Sequence, residues 1–162
     1  MKTLPARAVA CACILVGAFA FAAPAAAGDV TAFVTLPSPS NVWDRGYGAA
    51  LTTTWFQAIA LEGEAARIPG DLGDSSMSSF TGSALLAPPL GPLVPYGGIG
   101  FGFFRQSVGT ESDTGIVRCF VAGLKLKAGL LVVKGEYRRI SLSGEPLLPM
   151  DKRYSFGAGI SF

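Results

Sequence analysis

Nine residues at the C-terminus, Tyr154-Ser-Phe-Gly-Ala-Gly-Ile-Ser-Phe162, constrain the fold more than any other stretch of this chain. In an extended strand successive side chains point to opposite faces, so Tyr154, Phe156, Ala158, Ile160 and Phe162 share one face. Ser155, Gly157, Gly159 and Ser161 share the other. A strand with one wholly apolar face suits a lipid boundary, and small polar residues on the opposite face suit the inside of a barrel. A soluble domain that frayed here would expose the aromatic row to water.

The opposite terminus is expected to be a leader. Lys2 and Arg7 precede an apolar run from Cys13 to Ala23, and Ala25-Ala26-Ala27 offers a small-residue cleavage site. Residues 1–27 are therefore read as a secretory signal peptide and residues 28–162 as one mature domain. Cleavage would remove Cys11 and Cys13, leaving Cys119 as the sole cysteine and excluding an internal disulfide. Removing Lys2 and Arg7 leaves 11 basic residues against 11 acidic ones, a neutral balance that gives no footing for nucleic acid.

No mature segment reads as a membrane helix. The longest apolar stretch, Ala84 to Val94, is broken by Pro88, Pro89, Gly91 and Pro92. Period-two alternation recurs instead between turn-rich segments. Counting back from Phe162 gives eight strands: one from about residue 151, then 130–142, 114–126, 96–107, 77–86, 58–67, 46–55 and 29–36. Most have about 9–13 residues, the length that a tilted strand needs to cross a bilayer, and the first is shorter. Long polar connections around Asn41, Asp71, Glu111 and Glu145 alternate with tighter turns near Phe56-Gln57, Ala87 to Pro95 and Lys127 to Gly129. That asymmetry places the long loops on the outer side and the turns and both termini in the periplasm.

Side-chain phase gives an independent criterion. Ile59 and Leu61 share a face opposite Glu62 and Glu64, and Val133 and Tyr137 lie opposite Lys134, Glu136 and Arg138. A Lys or Arg at the lipid midplane costs about 2–4 kcal/mol, so these charges are expected in the lumen, where they can pair. Ile99, Phe101 and Phe103 likewise oppose Gly98, Gly100 and Gly102. Trp55, Tyr96 and Phe162 are expected at one bilayer interface, and Tyr47 and Tyr154 at the other. The strand 114–126 gives no clean phase, because placing Arg118 inside carries Phe120 and Leu124 with it.

With strand number, leader, loop asymmetry and terminal aromatic together, the mature chain resembles the small bacterial outer-membrane β-barrels of the OmpA and OmpX type. The resemblance implies an all-β, eight-stranded antiparallel up-and-down transmembrane barrel in the outer membrane. It implies outer-membrane lipid, periplasmic chaperones and the assembly machinery as partners, and a monomer. Tyr154, Phe156, Ile160 and Phe162 would then carry the signal that the machinery reads. Glu62, Glu64, Lys134, Glu136 and Arg138 would be a structural charge network plugging the barrel. An eight-stranded barrel has too narrow an interior for an open pore, so a porin is not expected.

The residues argue against catalysis. The chain contains no histidine, which removes Ser-His activation, histidine bases and histidine metal ligands. Outer-membrane lipid A deacylases, palmitoyltransferases and omptin-type proteases share the architecture but rely on histidine. Glu62 and Glu64 sit on one strand with no cleft between them. Asp71 and Asp74 fall short of a Ca²⁺ loop. Gly97-Gly98-Ile-Gly-Phe-Gly102 has no βαβ unit around it to bind a dinucleotide. Cys119 reads as a small buried apolar residue. No catalytic, cofactor or metal site is expected. The alternative is a secreted soluble barrel, lipocalin-like, that binds a small apolar ligand.

Overall fold

The computed structural model describes residues 28–55, 58–70, 75–144 and 146–162. The expected leader, the turn expected at Phe56-Gln57, and Asp71, Asp74 and Glu145 lie outside the described residues. Eight strands follow one another: β1 (Gly28–Ser38), β2 (Gly46–Trp55), β3 (Ile59–Pro69), β4 (Ser75–Leu86), β5 (Leu93–Val108), β6 (Glu111–Ala128), β7 (Leu131–Ser143) and β8 (Lys152–Ser161). Each pairs antiparallel with the next, and β8 pairs with β1, so the sheet closes with no free edge. The expected all-β, eight-stranded up-and-down barrel is what the chain forms. The seam runs from Asp29 opposite Ser161 to Ser38 opposite Lys152. It is finished by reciprocal backbone bonds of 2.9 Å between Gly28 and Phe162.

The first strand is longer than its sequence suggested, because pairing to β2 and β8 carries it through to Ser38. The larger correction concerns the expected loop from Val108 to Asp113. Only Gly109 and Thr110 are unpaired there, and β5 and β6 stay in register up to Val108 opposite Glu111. Gly109 has a positive φ of 58°, as the first position of a primed two-residue hairpin demands. Gly129 does the same at the other end of β6, with φ 61°. The proline-rich connection is also shorter than expected, since Leu93 to Pro95 join β5.

The barrel is inverted relative to a soluble domain. Val34, Leu61, Phe80, Ile99, Phe101, Phe103, Phe120, Val133, Phe156 and Ile160 all stand exposed on its outer surface. Glu62 and Glu64 of β3 and Lys134, Glu136 and Arg138 of β7 point inward. Tyr47, Trp55, Tyr154 and Phe162 stand on the outer surface near strand ends, as expected for interface anchors. Tyr96 does not: it points into the lumen and is only 5% exposed, because its hydroxyl finds a carboxylate there. On β6, Val117, Cys119, Val121 and Lys125 face inward while Arg118, Phe120 and Leu124 face outward. The ambiguity of that strand is thus resolved by putting the arginine outside.

Candidate functional site: a neutral ion-pair plug and a capped mouth

The lumen is built by adjacent strands, each contributing alternate residues. β3 supplies Glu62 and Glu64, and β7 supplies Lys134, Glu136 and Arg138. Arg138 sits at the centre. Its Nη2 lies 2.7 Å from Glu62 and 2.8 Å from Glu64, and its Nε lies 2.6 Å from Glu136. Its Nη1 donates to the Thr81 hydroxyl at 3.1 Å. Lys134 adds a second bridge, 3.2 Å from Glu62 and 3.4 Å from Glu136. The five residues singled out in the sequence are therefore in mutual contact, all buried.

Three further buried charged residues join them that the sequence reading did not single out, and the partly exposed Lys127 lies 3.6 Å from one of these, Asp29. Lys125 on β6 lies 3.0 Å from Asp29 on β1, and Arg153 on β8 pairs with Glu64. Lys125 also donates to Thr52, whose hydroxyl donates to Glu62, so the two clusters form one chain of contacts. Buried carboxylates number four (Asp29, Glu62, Glu64, Glu136) and buried cations four (Lys125, Lys134, Arg138, Arg153). The balance matters because desolvating a charge costs several kcal/mol unless a partner repays it.

Aromatic residues fit between these cations. Phe33 lies opposite Gly48 on one side and Gly157 on the other. A Cβ at Gly48 would come within 2.8 Å of Phe33 Cε2, so that glycine makes room for the ring. Lys134 and Arg153 then stand 5.5 and 5.7 Å from its centroid, within cation–π range. Tyr96 repeats the device beside Gly123: its ring lies 5.3 Å from Lys125 and its hydroxyl donates to Glu136 at 2.9 Å.

Glu62, Glu64 and Glu136 bring their carboxylate oxygens within 4.8 Å of one another, close enough to share a metal ion. The guanidinium of Arg138 already occupies the space between them, so the trio is a cation cradle satisfied from within. A small void beside it, lined by Thr81, Cys119, Arg138 and Arg153, measures about 10 Å³, about the room of one water.

Towards the loop end the filling turns apolar. Trp43, in the β1–β2 connection, is 2% exposed and belongs to one cluster with Ile68, Met77, Phe104 and Met150. Its Nε1 donates to the Pro149 carbonyl at 2.9 Å. Gln106 on β5 ties down the β7–β8 connection: Nε2 donates to the Leu148 carbonyl at 2.9 Å and Oε1 accepts from the Leu148 N–H at 3.1 Å. Two loops thus fold over the mouth. Replacing Gln106 with Met would orphan both backbone groups of Leu148, at roughly 1–3 kcal/mol. Limited proteolysis should show faster cleavage between residues 144 and 151 in that variant, with the barrel itself still intact. An unchanged cleavage rate would mean the loop is held elsewhere.

No protein-family model matches the chain, and no curated protein sequence does. Solved structures do. The N-terminal β-barrel domain of OprF from Pseudomonas aeruginosa superposes with a TM-score of 0.62 at 15% identity, over 84% of this chain and 97% of that one. The fold is that of the small outer-membrane β-barrels. Neisserial surface protein A gives a TM-score of 0.59 at 13% identity, covering 84% of this chain and 94% of its own. The outer membrane enzyme PagL gives 0.54 at 19% identity, covering 83% and 98%. One of these barrels is thus an enzyme, so the architecture alone does not decide between catalysis and a structural role.

Proposed function

We propose that this chain is an integral outer-membrane protein, exported behind a cleaved leader, that presents its loop end to the exterior and neither conducts solutes nor catalyses a reaction. The observation that carries this reading is the inversion of polarity. Large apolar side chains form a continuous outer belt, while eight paired charges fill the interior. Soluble monomers rarely expose contiguous apolar patches larger than a few hundred Å². A lipocalin-like role would need an apolar cavity, and this lumen is charged and packed. A porin would need an open lumen, and here Trp43 and the charge network occupy it. Non-enzymatic function is favoured by the absence of histidine from the sequence and by carboxylates already committed to ion pairs.

Topology is the direct test. Cysteine introduced at Asn41 or Glu111 in a Cys119→Ala background should react with a membrane-impermeant maleimide on intact cells. Cysteine at Pro92 or Lys127 should react only after the outer membrane is permeabilised. Recovery of the chain in the soluble extracellular fraction, or the reverse labelling pattern, would overturn the proposal.

A further inference from the structure

On the proposed membrane reading, the outer surface of the barrel carries a second charge pattern, unlike the paired one inside. Arg67, Arg105, Arg118, Arg139 and Lys152 are all exposed and point outward from their strands. Each lies one alternation towards the loops from an outward residue (Ala65, Phe103, Phe120, Tyr137 and Tyr154), and on β6 the outward Ile116 stands between Arg118 and the loop end. Outside the lumen, the acidic residues described by the structure (Asp44, Glu111, Asp113 and Asp151) lie in the loops or near the β5–β6 hairpin. None of the five cations makes an ion pair among the described residues.

Two of the five share a groove. Arg118 pairs across β6–β7 with Ser141, and Arg139 pairs with Phe120, so the two arginines are diagonal neighbours on one face. Diagonal positions in a sheet are roughly 7–8 Å apart, and like charges placed so close destabilise unless something neutralises them. Both line a surface depression of about 290 Å³ whose other walls include Ile99, Phe101 and Phe120. The depression is therefore basic at its head and apolar along its body. That is the polarity of one lipid with an anionic headgroup, and the planar fork of each guanidinium can meet two oxygens of a tetrahedral phosphate.

We propose that this β5–β7 groove is a binding site for a lipid of the outward leaflet whose headgroup is a net-anionic phosphate. Arg118 and Arg139 grip the phosphate, and an acyl chain lies along Ile99, Phe101 and Phe120. The other outward cations provide a diffuse attraction, whereas this pair provides a seat. Each basic residue near a membrane surface contributes about fivefold in affinity for anionic lipid, so removing both should cost about 25-fold.

The refolded chain would be incubated in detergent with equal amounts of phosphatidic acid and phosphatidylcholine of the same acyl chains, and retained lipid read by native mass spectrometry. Heat-modifiable gel migration would first verify that every variant is folded. Wild type should retain phosphatidic acid in preference, and Arg118→Gln/Arg139→Gln should lose that preference by about the stated factor. Arg67→Gln/Arg105→Gln should keep most of it. Equal loss in both pairs, no preference in wild type, or displacement of the lipid by inorganic phosphate alone would each overturn the site. A wild-type chain that shows no folded, heat-modifiable form in detergent would overturn the membrane reading beneath it.

Discussion

Replacing Arg138 with methionine is expected to be the most damaging single change inside the barrel. The guanidinium touches Glu62, Glu64 and Glu136 at once, and no other cation of the network reaches all three. Its loss leaves clustered carboxylates in a dry interior, with only Lys134, Arg153 and, at 4.0 Å from Glu62, Lys125 to compensate. Breaking a buried ion pair on one side costs about 3–5 kcal/mol. Arg138→Lys should fall between, because a single ammonium cannot present the forked donors that reach three partners. Adding Glu64→Gln to Arg138→Met should restore part of the loss, since it removes one of the orphaned charges. Denaturant titrations of the refolded barrel in detergent would measure all four chains. If Arg138→Met unfolds at the wild-type midpoint, the lumen charges are hydrated and the plug contributes nothing to stability.

This network was only half legible in the sequence, and the reasons are physical. Glu62 and Glu64, and Lys134, Glu136 and Arg138, alternate with apolar residues along single strands, so the cost of a charge in lipid fixes which way they point. Arg153 shares its phase with Ser155 and Gly157 on β8, so the same alternation places it in the lumen. Asp29 and Lys125 meet across 96 positions of sequence, and only closure of the barrel brings β1 and β6 across from each other. The phase of β6 was hidden because Arg118 breaks the rule that charges point inward. That rule holds at the midplane, and Arg118 sits beyond Phe120, towards the loops, where an anion or water can meet it. The same logic explains the missed extension of β5 and β6. Beyond the apolar belt both faces of a hairpin meet water, so Ser107, Ser112 and Asp113 carry no alternation to read, and their turn-like composition suggested a loop. The mouth cap was invisible for a different reason: Trp43 and Met150 belong to connections whose folding over the barrel no local pattern encodes.

Deleting Phe162, or appending a polar tail to it, should sharply reduce the amount of assembled protein in the outer membrane while leaving leader cleavage unaffected. The structural stake of this residue is modest. Its backbone exchanges two bonds of 2.9 Å with Gly28 at the β1–β8 seam, each contributing about 0.5–1.5 kcal/mol. Its ring lies over Gly28, where a Cβ would come within 2.6 Å of it, yet the residue remains 69% exposed. Full burial of a Phe side chain contributes about 1.5–3 kcal/mol, and a ring this exposed to the surroundings of the barrel gains less. A purely structural role therefore predicts similar, moderate losses in cells and in a test tube. A role as the residue that the assembly machinery reads, with Tyr154, Phe156 and Ile160 on the same outward face, predicts a divergence. Refolding of the deletion variant into detergent should stay within a few-fold of wild type, whereas assembly in cells should collapse. Quantifying folded barrel by heat-modifiable migration in both settings separates the two. Equal loss in the two settings would leave Phe162 as a seam residue only, and closure of β8 on β1 would then be the whole of its contribution.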